Sequence, residues 1–268
     1  MKSVLTIIKF CKEKYRILVE KKYSTISGTL VYFFIMSVVP FSFWASLLFG
    51  DRLWGRIREI LELRLLSSLF PVLDFLEENA ALATGKVGIV LLVTSLYSST
   101  NLFYHMRRSG ELLYRCETYQ KGWKLRLSAL VLLFLVLLSA ALLIAVGWLG
   151  YRFLTASFSP AWNYIALYFF LSLSAFALSL FMNGYVCPYR YPLRSFLPGS
   201  AITWGLWGVA TIGFGVYLHF ADFTKLYGAV STVVVFFLFL YLMMNCFVIG
   251  VIFNSERLKD QPKALKRF

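Results

Sequence analysis

The chain alternates between long apolar stretches and short polar segments, and the apolar stretches set the predicted architecture. Six of them contain no Asp, Glu, Lys or Arg. A membrane hydrocarbon core about 30 Å thick is crossed by roughly 20 apolar residues in a helix, and each stretch is about that long. The pattern therefore predicts six transmembrane helices, at residues 29–50, 87–104, 127–150, 162–186, 196–219 and 226–253.

Two segments outside these stretches also show helical periodicity. In residues 1–28, apolar side chains recur on one helical face between lysines, which predicts a basic amphipathic helix on the cytoplasmic leaflet or against the bundle. Residues 51–85 carry an apolar stripe among charged residues, interrupted at Pro71, which predicts an external pair of interfacial helices. The fold class is an all-α polytopic integral membrane protein, with a six-helix transmembrane domain at 29–253 and a basic cytoplasmic tail at 254–268.

Composition and charge agree with this architecture. Hydrophobic residues make up 59% of the chain and the mean hydropathy is +0.71, whereas soluble domains are about 45–50% apolar. With six spans, the side that holds both termini carries 20 Lys and Arg residues and the other side carries 7. Cytoplasmic segments are rich in Lys and Arg, so both termini are predicted to be cytoplasmic. The net charge of +14 then attracts anionic lipid headgroups, and no nucleic-acid partner is predicted.

Polar residues inside or next to the spans are informative because burying them costs free energy unless they find partners. Such side chains can join membrane helices by hydrogen bonds, or three polar faces can line a shared cavity, and the sequence leaves both readings open. The residues concerned are Thr94, Ser98, Asn101, His105 and Arg108 on the second helix, Ser172, Ser179 and Asn183 on the fourth, and Tyr241 and Asn245 on the sixth. Two prolines mark positions where a helix can bend: Pro40 in mid-span and Pro198 near a helix start, where its missing N–H is harmless.

Motifs along the chain point to a family. Residues 188–200 read PYRYPLRSFLPGS, residues 213–218 read GFGVYL, and residues 226–242 read LYGAVSTVVVFFLFLYL. Together with SGTLVYFFIMSVVPF at 27–41, which contains a matching Ser37 and Pro40, they resemble the YihY/BrkB family of bacterial inner-membrane proteins, historically mislabelled ribonuclease BN. The resemblance covers essentially the whole chain. It implies six transmembrane helices in the bacterial cytoplasmic (inner) membrane, with cytoplasmic termini.

The resemblance also implies envelope biogenesis, because family members have been linked to virulence and to movement of lipids or lipopolysaccharide precursors. It supplies no catalytic residues. The family's last helix commonly ends Gly-Ala-Glu, whereas here Gly250 is followed by Val251 and Ile252. Glu256, one turn further on, is a candidate replacement for the carboxylate that is missing at Ile252.

Three classes of function follow. A metal-dependent nuclease needs clustered carboxylates or histidines; the sequence shows no such spacing, so no metal, cofactor or catalytic residue is predicted, and ribonuclease is the weakest alternative. A carrier coupled through an intramembrane acid is not favoured either, because none of the 13 acidic residues lies in a span. A polar path could still pass an anionic headgroup while its tails stay in lipid. The third class is a scaffold that binds an envelope protein through 51–85, and partnership with further copies of the chain is left open.

The end of the second helix carries the sharpest hypothesis. His105, Arg107, Arg108 and Arg115 are predicted to gather an anionic headgroup at the cytoplasmic mouth of the polar stripe, since arginine suits phosphate. Glu111 is placed to pair with Arg107 at i, i+4. The alternative is that these residues only orient the chain in the membrane. The predicted function is non-enzymatic translocation, or assistance in translocation, of an anionic lipid or amphiphile.

Overall fold

The computed structural model describes residues 16–49, 94, 96–116, 122–138, 160–220 and 229–259. Six helices account for most of them: α1 Tyr23–Phe49, α2 Asn101–Leu113, α3 122–138, α4 Pro160–Val186, α5 Leu197–Phe220 and α6 Ala229–Arg257. A short 3₁₀ helix, Leu193–Phe196, leads into α5. The prediction of an all-α protein is confirmed for these residues, among which no strand occurs.

Three of these helices contain windows long and apolar enough to cross a membrane, namely Phe169–Val186, Leu193–Tyr217 and Val234–Arg257. They correspond to the fourth, fifth and sixth predicted spans. The number six stays a prediction, because much of the second and third spans lies outside the described residues. The external segment 51–85 and most of the two terminal segments lie outside them too. α6 continues through Arg257, so the predicted tail begins as helix.

The helix α6 lies at the centre of the described bundle. It packs against α1, α2, α4 and α5, and its buried residues Phe247, Val248 and Val251 join the main hydrophobic core. Two glycines let backbones approach closely. A methyl group at Gly250 would lie within 3.0 Å of Thr203 and the Gly199 carbonyl on α5, and one at Gly110 would overlap the Val186 carbonyl at the end of α4.

The contact between α1 and the second predicted span explains how α1 accommodates Pro40. Because proline has no N–H, the Met36 carbonyl four residues earlier loses its helical donor. Ser98 donates its hydroxyl to that carbonyl at 3.2 Å. In return, the Ser37 hydroxyl accepts the Leu102 N–H at 3.2 Å. Its single hydrogen is shared between the Phe33 carbonyl at 2.7 Å and the Ser98 carbonyl at 3.1 Å, and the Leu102 N–H and the Ser98 carbonyl would pair in an unbroken helix. Each serine therefore replaces a backbone hydrogen bond of the other helix.

Candidate functional site

A cleft of about 560 Å³ opens between the start of α1 and the second half of α2. Two elements build it: the turn at 21–22 that precedes α1, and α2 with the turn that follows it. We call it the basic cleft, because four of its lining residues are lysines or arginines. Its lining comprises Glu20, Lys21, Lys22, Thr25, Ile26, Thr29, His105, Arg108, Ser109, Leu112, Leu113 and Arg115.

Two of the four cations are neutralised by carboxylates. The Lys21 ammonium lies 2.6 Å from the Glu256 carboxylate and also donates to the Leu113 carbonyl at 3.2 Å. The Arg108 guanidinium lies 2.7 Å from the carboxylate of Glu111, whose side chain is buried. Burial lowers the pKa of Lys21 despite the presence of Glu256, and the nearby positive charge of Arg115 lowers it further. These two ion pairs fix the walls of the basic cleft.

The other two cations, Lys22 and Arg115, have no carboxylate partner among the described residues. Both are exposed. Both also have a positive φ, 51° for Lys22 and 50° for Arg115, a left-handed conformation that is uncommon outside glycine and costs free energy. The turns before α1 and after α2 thus each hold, at the basic cleft, a cation without a described carboxylate partner.

The basic cleft is also lined by the imidazole of His105, which is uncharged at neutral pH. The His105 imidazole stacks on the Phe33 ring of α1 with centroids 3.4 Å apart. Burial, together with the positive charge of Arg126, lowers the pKa of His105 to about 4. At neutral pH His105 therefore offers hydrogen bonds and an aromatic face, and it adds no charge.

An apolar surface continues from the basic cleft along α1. Thr25 and Thr29 line the cleft and are exposed, and Tyr32 and Met36 follow on the same helical face, 55% and 49% exposed. Residues spaced by three or four positions lie above one another on a helix. A molecule with a charged end in the cleft could therefore lay an apolar chain along this surface.

The predicted stripe on the second helix only partly lines the cleft. His105 and Arg108 do so, as does Arg115 beyond the helix. Arg107 does not line it: its side chain is buried and donates to the Tyr185 and Cys187 carbonyls at the end of α4. This satisfies carbonyls that lack helical donors, which is a structural role.

Asn101 and Ser98 also have defined partners. The Asn101 side-chain oxygen accepts a hydrogen bond from Arg126 at 2.6 Å, and Ser98 makes the contact with α1 described above. The Arg126 guanidinium lies over the rings of Tyr97 and Tyr104, 4.0 and 4.2 Å from their centroids. Sequence reasoning missed Arg126 because it stands at the edge of a predicted span, where a basic residue is expected. The available signal was its position opposite a polar, tyrosine-containing helix end.

Two polar residues of α4, Ser179 and Asn183, form a closed cluster with α6. The Asn254 amide nitrogen donates to the Asn183 side-chain oxygen at 3.0 Å and to the Phe196 carbonyl, and the Asn254 oxygen accepts the Gly199 N–H at 2.9 Å. Asn183 also donates to the Ser179 carbonyl. Asn183, Asn254 and Ser179 are fully buried, and we call this cluster the asparagine node. Its contacts are those of interhelical packing. Asn254 was not singled out because it lay in the predicted tail.

The other predicted residues lie apart from both clusters. The Ser172 carbonyl accepts the Trp204 indole N–H at 3.1 Å, the Tyr241 and Ser24 hydroxyls are 2.6 Å apart, and the Asn245 amide donates to the Tyr241 carbonyl.

The remaining predicted positions are placed as follows. Thr94 is exposed, and Pro198 is the second residue of α5. Ile252 is buried in the main core, whereas Glu256 holds Lys21. Of the predicted site, the structure thus brings His105, Arg108 and Arg115 together at the basic cleft.

Comparison with known proteins agrees with the motifs quoted above. A family model described as Virulence factor BrkB matches residues 15–267 of the chain, a range that contains all six described helices. No curated protein and no solved structure matches the chain.

Proposed function

The chain belongs to the virulence factor BrkB family, a family of membrane proteins, and on this premise we propose that it translocates, or assists in translocating, an anionic lipid or amphiphile. The observation that carries the proposal is the pair of cations, Lys22 and Arg115, that lack a carboxylate partner among the described residues and line a cleft that adjoins an apolar helix surface. The proposed location is the bacterial cytoplasmic membrane, with both termini and the basic cleft on the cytoplasmic side.

Electrostatics and shape support the binding of an anionic headgroup. Each Lys or Arg near a membrane surface attracts anionic lipid by about 1 kcal/mol. Lys22 and Arg115 belong to the two different elements that build the basic cleft. The arginine can make two parallel hydrogen bonds to a phosphate. The exposed face of Tyr32 and Met36 would keep the acyl chains in contact with apolar surface.

The path beyond the basic cleft is proposed to follow the polar stripe of the second helix. Asn101 and Ser98 are half-buried and Thr94 is exposed, so polar groups continue from His105 toward the membrane interior. Such a path lets the headgroup keep hydrogen-bonding partners while the tails remain in lipid. The asparagine node is not part of it, because Asn183 and Asn254 are fully buried and join α4, α5 and α6.

The test is lipid movement by purified protein in phosphatidylcholine liposomes. Trace fluorescent phosphatidic acid, phosphatidylglycerol or phosphatidylcholine is added, and the fraction that reaches the outer leaflet is followed by quenching from outside. We expect the anionic lipids to move faster than phosphatidylcholine. The double variant Lys22→Gln, Arg115→Gln should slow them about tenfold or more, because each cation contributes roughly 1 kcal/mol.

The matched control removes one charge elsewhere. Lys124→Gln alters an exposed lysine on α3 that does not line the basic cleft, so lipid movement should stay unchanged. If normally inserted protein moves no labelled lipid faster than protein-free vesicles do, the proposed function is wrong. The scaffold alternative, which rests on 51–85 outside the described residues, would then be the one to pursue.

A further inference from the structure

The charges around the basic cleft bear on the chemistry of its ligand. Every described carboxylate near the cleft is engaged: Glu256 with Lys21, Glu111 with Arg108, and Glu20 with Arg16 at 3.5 Å. Among the described residues, Lys22 and Arg115 are the lining cations that form no ion pair with a carboxylate. The basic cleft therefore carries two positive charges that a ligand could match.

The other groups that line the basic cleft do not change the number of positive charges available to a ligand. The pKa of His105 is lowered to about 4, so its ring stays neutral from pH 5.5 upward. Thr25, Thr29 and Ser109 offer hydroxyl groups without charge. Ile26 and Leu112, with Tyr32 further along α1, supply apolar surface next to the cations.

From this charge balance we infer that the ligand of the basic cleft is a phosphomonoester amphiphile, whose dianionic headgroup binds between Lys22 and Arg115 while its apolar chain lies along α1. A phosphomonoester carries about −1.5 to −2 charges at neutral pH, because its second pKa is about 6. A phosphodiester carries a single charge and would leave one cation unmatched. The inference rests on the proposed function and narrows its substrate class.

The experiment compares short-chain ligands that share their acyl chains. Dihexanoyl phosphatidic acid, a monoester, and dihexanoyl phosphatidylglycerol, a diester, are titrated into the full-length protein in phosphatidylcholine nanodiscs by calorimetry at pH 8.5 and pH 5.5. At pH 8.5 we expect the monoester to bind about fivefold more tightly, the effect of one additional matched charge near a membrane surface. At pH 5.5 the monoester is largely monoanionic, so the two affinities should converge.

Variants assign the effect to the two cations. Lys22→Gln and Arg115→Gln should each weaken monoester binding at pH 8.5 about fivefold and reduce its pH dependence, whereas Lys124→Gln should leave both unchanged. Inorganic phosphate, added as a third ligand, should bind more weakly than phosphatidic acid because it has no apolar chain.

Each other outcome has a distinct meaning. Equal binding of both lipids at pH 8.5, weakened in the cleft variants, overturns the dianion inference and leaves the proposed headgroup site intact. A monoester preference that survives both substitutions overturns the assignment to Lys22 and Arg115. If inorganic phosphate binds as tightly as phosphatidic acid, the inference that the ligand is an amphiphile is wrong. The liposome assay tests the proposed function separately: if no labelled lipid moves, the proposed function is wrong.

Discussion

The asparagine node and the basic cleft are both polar clusters on the helices of a membrane protein, yet they use their polar groups differently. In the node, both side-chain amides hydrogen-bond to neighbouring helices and are fully buried. In the basic cleft, Lys22 and Arg115 face a space of about 560 Å³ without a described carboxylate partner. The difference teaches that the satisfaction of polar groups, and not only their presence, separates helix packing at the node from the proposed binding site at the cleft. It predicts loss of stability at the node and loss of binding at the cleft.

The largest effect is expected where α5 and α6 touch beside the node. Gly250→Ala places a methyl group against Thr203 and the Gly199 carbonyl, so the helices must separate. Overpacking of this kind costs about 3 kcal/mol. Thermal unfolding of the detergent-solubilised protein should show a large drop in Tm. Gly208→Ala on α5 is the control, because nothing lies within 4 Å of the added methyl group. Equal behaviour of the two variants would contradict close packing at Gly250.

A smaller loss is expected from the node itself. Asn254→Leu leaves the Gly199 N–H and the Asn183 side-chain oxygen without their partner, and such unsatisfied buried groups cost about 2 kcal/mol. The matched variant on the same helix is Asn245→Leu, since the buried Asn245 oxygen has no partner among the described residues. Tm should fall in the first variant and stay level or rise in the second. A node that lined a transport path would instead lose lipid movement at unchanged Tm.

The third comparison lies within the basic cleft. Arg108→Ala removes the ion-pair partner of the buried Glu111 carboxylate. We expect a loss of about 1–2 kcal/mol, less than in a fully buried pair, because the Arg108 side chain is 38% exposed. Arg115→Ala should leave Tm unchanged and weaken binding of anionic lipid. Chemical denaturation and lipid binding, measured on both variants, check this division. Loss of stability in Arg115→Ala would remove it from the ligand site.

The smallest effect concerns pH. Because the pKa of His105 is lowered from 6.5 to about 4, the unfolded chain takes up a proton at a higher pH than the folded protein does. The stability linked to His105 is therefore fully present above pH 6.5 and is lost as the pH falls toward 4. The Tm of the wild type should fall more steeply over this interval than that of His105→Gln, in which the position stays neutral. Parallel curves would show that the ring is not desolvated.

Some of these results could be read from the sequence, and others could not. The apolar stretches at 162–186, 196–219 and 226–253 predicted α4, α5 and α6 to within a few residues. About 20 consecutive apolar residues are what a helix needs to cross a membrane, so the length and hydrophobicity of each stretch indicate a helix directly. The cluster of His105, Arg108 and Arg115 was found for a similar reason, since cations at the end of an apolar stretch mark a membrane surface.

The contact partners of individual polar residues could not be predicted from sequence periodicity. Arg107 and Arg108 are adjacent and chemically identical, but they point to different neighbours: Arg107 satisfies carbonyls of α4, and Arg108 lines the basic cleft. Lys22 joined the cleft only because the turn before α1 folds against α2. The exchange of hydrogen bonds between Ser37 and Ser98 likewise joins residues that are 61 positions apart.

The sequence by itself determined that this is a helical membrane protein of the BrkB family with a strongly basic surface, because hydrophobicity, helical periodicity and charge are local properties of the chain. Only the tertiary structure decided which polar groups are satisfied. Asn183 meets Asn254 across 71 residues and Lys21 meets Glu256 across the length of the chain, and a hydrogen bond or ion pair depends on distances that only packing sets. In the part of the chain that the structure describes, that packing places no carboxylate at ion-pair distance from Lys22 or Arg115.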